Sequence, residues 1–346
     1  MTPVDRPVIL HVGTHKTATT SLQLFLEENR ALLAQAGLLL PMAGRPPAMQ
    51  WGNHRLAWEL LAFGSSDDLP ALAAELRAQM PPAALLTSED FSLLCTRPDT
   101  LASMASTLRA EGYLPKVIIY VRPQAPYIES MYVERIKHDQ IRPLDEYLDE
   151  IYATGQYHPA GTAIRIEFRY SGLLEPFVEI FGRENVAIKV YQSGAPTAQI
   201  FQEFLALIAW AYPQFAQTPL DLQVRSPRAN ESLRILELVQ TVYGKLEKRA
   251  PDGDLLRAEL IALTAKLPES IAHAKVTLLT RDDYLRCIAC FGDDNAKVNE
   301  RYGIAIPFVD ERDVPPAGDP QWELARVQRA YFDEALSRCL EAASRG

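Results

Sequence analysis

The stretch HVGTHKTATTSLQ, residues 11–23, decides how this chain is read. An apolar run over residues 8–12 ends at Gly13, and a hydroxyl-rich turn then opens a helix. Glycine permits the tight backbone conformation that a strand end needs there. The first amides of a helix have no internal partners and carry the positive end of its dipole. A phosphate can sit at such a place, with Lys16 adding a point charge, Thr17, Thr19 and Thr20 adding donors, and His15 beside them. Only two residues separate Gly13 from Lys16, so this is a shorter cradle than the GxxxxGK[ST] loop of nucleoside triphosphate enzymes. A threonine-capped helix with a solvated lysine is the plain alternative.

Outward from this loop, strand-like and helix-like segments alternate. Residues 19–36 form one amphipathic helix, with Leu22, Phe25, Leu26, Leu32 and Leu33 at helical spacing and Gly37 as its stop. Strands follow at 38–40, 83–86, 116–121 and 186–191, and helices at 54–80, 100–111, 123–138 and 172–181. A flexible loop rich in glycine and proline spans residues 42–52. Short apolar strands separated by helices imply right-handed crossovers and an α/β fold, a central parallel sheet with helices on both faces. From Thr197 onward the pattern is mainly helical. One domain over residues 1–346 is expected, with 1–195 carrying the sheet and the site and 196–346 a helical elaboration.

The chain has 346 residues, 48% hydrophobic and 23% charged, which excludes a disordered or fibrous protein. A net charge of −9 argues against a nucleic-acid binder. No apolar run reaches transmembrane length, and the first residues lack a signal-peptide core. Cys95, Cys287, Cys290 and Cys339 are too sparse for a disulfide framework, so a cytoplasmic location is expected. Cys287 and Cys290 sit one helical turn apart on an apolar face and read as core.

KTATT resembles the 5′-phosphosulfate loop, approximately KxGTT, of sulfotransferases that use 3′-phosphoadenosine 5′-phosphosulfate (PAPS), especially bacterial ones. Lys16, Thr17, Thr19 and Thr20 match it, and Ala18 stands where the family has glycine. The stretch KVIIYVRPQAPYIES is a second match: the resemblance implies that Arg122, at a strand end, and Ser130, eight residues on, bind the 3′-phosphate. It also implies the P-loop-like three-layer sandwich, and a cofactor site of Gly13, His15, Lys16, Thr17, Ala18, Thr19, Thr20, Ser21, Arg122, Ser130 and Arg228. SPRANES, with Arg228, Asn230 and Ser232, resembles a stretch frequent in bacterial members, whereas the RKG-type loop of animal members is not evident.

In relatives that act on sugars the base is often a glutamate after a central strand, where TSED offers Glu89. A helix cap by Thr87 or Ser88, with Glu89 and Asp90 in its first turn, is the alternative. Cytosolic relatives use a histidine, and His54 is the second candidate; His11 reads as structural. The implied activity is in-line sulfuryl transfer from PAPS to an acceptor hydroxyl on a carbohydrate or glycolipid. Catalytic Glu89, Lys16 and His54 would act without a metal. An ATP/Mg²⁺ phosphotransferase and a non-catalytic nucleotide binder are the rivals. The expected partner is a small-molecule or glycan acceptor, with no nucleic acid, no integral membrane segment, and a homodimer compatible with the pattern.

Overall fold

Apolar runs build the strands β1 (Arg6–His11), β2 (Leu38–Leu39), β3 (Ala83–Thr87), β4 (Tyr113–Val121) and β7 (Val186–Val190). The two-residue strands β5 (Gln156–Tyr157) and β6 (Ile166–Glu167) lie outside this set. The structure, a computed structural model, describes residues 6–162, 164–223, 233–248, 253–265 and 267–344. Its central sheet is all parallel, in the order β2-β3-β1-β4-β7. Ile9 stands opposite both Leu85 and Lys116, and His11 opposite both Thr87 and Ile118.

Helices α1 (Thr19–Glu28), α2 (Arg30–Gln35), α3 (His54–Phe63), α4 (Asp68–Gln79) and α5 (Pro98–Ala110) alternate with the first strands. Then come α6 (Gln124–Lys137), α7 (Leu144–Thr154), α8 (Tyr170–Phe181) and α9 (Thr197–Ala211). Ile9, Leu85, Ile118 and Tyr120 share one sheet face and form a core with Leu22, Phe25 and Leu26 of α1 and Phe201, Phe204 and Ile208 of α9. The alternate residues Val8, Leu10, Leu86, Val117 and Ile119 are equally buried on the other face, where α5 and α8 pack on β4. The connection out of β1 runs leftward and those out of β3 and β4 run rightward, so right-handed crossovers place α1 and α5 on opposite faces. Helices on both faces of a parallel sheet are what the sequence predicts.

The described residues divide into two compact units. The first takes those of Met1–Arg122, Thr162–Asn230 and Lys297–Ile306, and holds the parallel sheet. The second takes those of Pro123–Gly161, Glu231–Ala296 and Pro307–Gly346. It is built from α6, α7, α10 (Ile235–Glu247), α11 (Gly253–Thr264), α12 (Glu269–Ala272), most of α13 (Arg281–Tyr302) and α14 (Pro320–Ser344). Within it the buried Arg329 guanidinium bonds Asp145 at 2.6 Å and Asp333 at 2.8 Å, and the amides of Gln124 and Asn295 exchange bonds of 2.7 and 2.8 Å. Buried charges and amides of this kind persist only with such partners. Cys287 is buried on α13, and the Cys290 thiol donates to the Tyr152 carbonyl at 3.3 Å, which places both cysteines in packing.

Two expectations are corrected. The helix expected over 19–36 is two helices, α1 and α2, split at Asn29. The buried Asn29 side chain donates to the carbonyls of Phe25 (2.8 Å) and Gln223 (3.0 Å) and accepts from the Gln223 amide (2.8 Å), so a distant segment bonds here. The loop expected to be flexible, 42–52, is tied at several points. Arg45, itself buried, donates to Pro41 O and Glu27 Oε2, both at 2.7 Å, and also to Gln50 O. Glu75 accepts from the amides of Met42 and Ala43 at 3.0 Å. Replacing Asn29 with alanine leaves buried backbone groups without partners. Urea denaturation of Asn29→Ala is expected to show a loss of about 2 kcal/mol.

Candidate functional site

In open parallel sheets ligands bind beyond the carboxyl ends of the strands, where neighbouring connections leave in opposite directions. That point falls between β1 and β4. The β1–β4 ladder runs on past β1: Val12 N bonds Ile118 O at 3.0 Å, Gly13 O accepts from Tyr120 N at 2.5 Å, and Thr14 N bonds Tyr120 O at 2.9 Å. The following loop turns three times through the left-handed region, at Gly13 (φ 75°), Lys16 (φ 64°) and Ala18 (φ 60°), and α1 starts at Thr19. A Cβ on Gly13 would meet the Cα and Cβ of Glu89 at 2.9 Å, so glycine is required for closeness as well as for φ.

The loop is held from inside and outside. Thr17, fully buried, donates its hydroxyl to Thr14 O at 2.6 Å, so that donor serves the loop itself. Arg122, at the end of β4, donates to Lys16 O at 2.9 Å and to Ser193 Oγ at 3.4 Å. Its backbone amide donates to the Tyr170 hydroxyl at 3.1 Å, and that hydroxyl also bonds the Arg122 carbonyl. The first-turn residues Thr19, Thr20 and Ser21 present the α1 amides that lack intrahelical acceptors. Ser130 lies on α6 in the second unit, half-buried. Arg228, Asn230 and Ser232 lie outside the described residues.

Beyond β3, Ser88 caps a 3-10 helix, Glu89–Thr96, by accepting from the Asp90 amide at 3.2 Å. The cap foreseen for Ser88 and the position foreseen for Glu89 therefore coexist. Glu89 Oε2 accepts from Gln23 of α1 at 2.9 Å. Asp90 is a hub: its carboxylate takes His15 Nε2 at 3.0 Å, Trp58 Nε1 at 2.8 Å and His54 Nδ1 at 3.4 Å. His54 Nδ1 also lies 2.9 Å from Ser88 Oγ, and its Nε2 lies so close to Gly52 that a Cβ there would come within 2.5 Å. His11 is fully buried, bonds Thr87 Oγ1 at 2.9 Å, and packs on the Phe204 ring.

The electrostatics follow. Burial would raise the Asp90 pKa, but the hydrogen bonds and charges of His15 and His54 hold it far below the usual carboxylate range. Burial would lower that of His54, but the Asp90 bond and the charges of Glu89 and Asp90 raise it above the ordinary histidine value. His11, buried without a counter-charge, is pushed down to about 3 and stays neutral.

Thr14, Gln23, Trp58, Ser193, Tyr170 and the hub role of Asp90 went unseen in the sequence. All but Thr14 act through a partner far along the chain, Thr14 matters through its buried hydroxyl, and only the acidic pair in TSED gave a local signal. A cavity of about 390 Å³ at the amino end of β7, lined by Arg183, Trp210 and Tyr302 among others, takes no part in this arrangement. Among the described residues no helix is long and apolar enough to cross a membrane.

Two predictions follow from the loop and the hub. Left-handed φ disfavours a side chain by roughly 1–2 kcal/mol, while glycine loosens the unfolded chain by about 0.4–1 kcal/mol. Ala18→Gly is therefore expected to raise the thermal midpoint slightly, and Ala18→Val to lower it. For His54, the folded form binds more protons than the unfolded form above about pH 6.5, so stability falls as pH rises toward its raised pKa. For His11 the sign is opposite, and stability falls as pH drops below about 6.5. Denaturation across pH should show a maximum near neutrality, and Asp90→Asn should remove the fall on the alkaline side.

No protein-family model and no curated protein matches the sequence. Among solved structures the chain is similar to a sulfotransferase from Alicyclobacillus acidocaldarius, with 15% identity over 77% of this chain and 98% of that chain and a TM-score of 0.38. The fold itself rests on the sheet order and register described above.

Proposed function

We propose that this protein is a PAPS-dependent sulfotransferase acting on an acceptor hydroxyl. The observation that carries the reading is the bond from Arg122 to the Lys16 carbonyl at the switch point of the sheet. It joins the strand-end arginine of one motif to the loop of the other, with two carboxylates on the opposite side of that loop. The residues fit a phosphosulfate group: the buried Thr14 hydroxyl has no hydrogen-bond partner among the described residues, and the Gly13 turn has no Cβ. Bound there, PAPS supplies the sulfuryl group, whose bond to the phosphate oxygen breaks as the acceptor oxygen attacks.

The chain's own groups divide the work. Lys16 and the α1 amides stabilise negative charge on the departing phosphate oxygen, as preorganised donors do best. Arg122 holds the remote phosphate and fixes orientation. Glu89 takes the acceptor proton, and Gln23 fixes its carboxylate through Oε2. Glu89 is the better base than His54, whose Nδ1 is engaged by Ser88 and Asp90 and whose Nε2 abuts Gly52. The net charge of −9 favours a neutral or weakly charged acceptor, such as a carbohydrate hydroxyl, over a polyanion.

A thermal-shift titration with 3′-phosphoadenosine 5′-phosphate, ATP and GTP, with and without Mg²⁺, tests the reading. The bisphosphate at about a hundred times its dissociation constant should add about 2.7 kcal/mol without Mg²⁺. Stabilisation by ATP–Mg²⁺ alone would refute it. Glu89→Gln should lower sulfate transfer by about 10²–10⁴-fold while keeping bisphosphate binding.

A further inference from the structure

We infer that the open face of Trp58 is a docking platform for a saturated, hydroxylated ring on the acceptor, an inference that rests on the sulfotransferase reading. Trp58 is 42% exposed, although a tryptophan is ordinarily well buried. It is nevertheless fixed. Its indole N–H donates to Asp90 Oδ2 at 2.8 Å, and its ring stacks on His54 with centroids 5.9 Å apart and planes 26° from parallel. His54 is itself buried and locked to Ser88 and Asp90. The ring is thus packed on His54 and anchored at its N–H edge by Asp90, and it remains partly exposed to solvent without freedom to fold away. Ordering costs are already met in such a group, which favours binding.

Its place selects the occupant. Asp90 anchors Trp58 next to Glu89, beyond β3, and the same carboxylate bonds His15 of the phosphate loop. Arg122 stands beyond β4, on the other side of β1, and strands that are two positions apart lie roughly 10 Å from one another. An adenine whose 3′-phosphate is held at Arg122 therefore lies away from Trp58. The acceptor, which must bring its hydroxyl to Glu89, approaches on the Trp58 side. An exposed indole held beside Asp90 suits a pyranose, with C–H bonds on one face to lie on the ring and hydroxyls at its edge.

The test uses the full chain labelled with 5-fluorotryptophan, with Trp58→Phe assigning the Trp58 resonance. The methyl pyranosides of glucose, galactose and mannose are titrated by ¹⁹F NMR, with sorbitol as the acyclic polyol control and p-nitrophenol as the aromatic one. At least one pyranoside should shift the Trp58 resonance while sorbitol leaves it in place. Trp58→Ala should weaken that binding by about tenfold or more, as loss of an apolar contact face predicts. Trp58→Phe, which keeps an aromatic face, should fall between. No response to any pyranoside, a response only to p-nitrophenol, or undiminished pyranoside binding in Trp58→Ala would overturn the platform. Failure of the bisphosphate to stabilise the unaltered protein would instead overturn the sulfotransferase reading, and the pyranoside response would still judge Trp58 separately.

Discussion

A carboxylate placed where three segments converge must be surrounded by donors, or its burial would cost several kcal/mol. Asp90 satisfies that demand with His15 from the loop after β1 and with His54 and Trp58 from α3. The consequence is mutual dependence. The loop cannot shift without releasing a buried acceptor, α3 cannot slide without taking two donors away, and the 3-10 helix carrying Glu89 is held by both. Ser88 completes the set by capping that helix while it lies against His54. The candidate base is thereby positioned through a neighbour that takes no proton itself.

The phosphate loop shows the complementary constraint. Three left-handed residues in a short span, two of them with side chains, form a conformation that local sequence does not favour. It persists because the β1–β4 ladder extends to Thr14, because Thr17 bonds back to Thr14, and because Arg122 grips the Lys16 carbonyl. Ala18 is tolerated in such a frame at the cost of modest strain. The arginine thus serves the loop's shape whether or not an anion lies beside it.

Much of this architecture was legible in the chain. The aliphatic runs of β1, β3 and β4 and the helices between them announce a parallel sheet, and Gly13, Lys16 and the threonines announce an anion cradle at its edge. What was hidden depends on partners distant in sequence. Asn29 looks like an ordinary helical residue until Gln223 claims it, and the residues 42–52 look loose because Arg45, Asn53 and Glu75 act across the loop or from beyond it. As a base candidate the sequence singles out Glu89 and leaves Asp90 a first-turn carboxylate, and only His15, His54 and Trp58 converging on it make it a hub. Gln23 and Trp58 sit on helices whose patterns mark them as surface polar and apolar positions. Their roles come from what faces them.

The sheet's two rims carry a further consequence, for how the molecule avoids association through its edges. Outer strands with unpaired backbone groups invite other chains to add on. Strand β2 is only two residues long, and just beyond it Asn53 bonds both the amide and the carbonyl of Thr87, shielding the end of β3 with side chain and backbone. At the other rim β7 displays the exposed, charged Lys189, while Arg183 occupies the Val186 carbonyl at 2.8 Å. A foreign strand would have to displace that guanidinium and desolvate a lysine. Sparing use of strand length on one side and fixed charge on the other keep an apolar five-stranded sheet from templating its own aggregation.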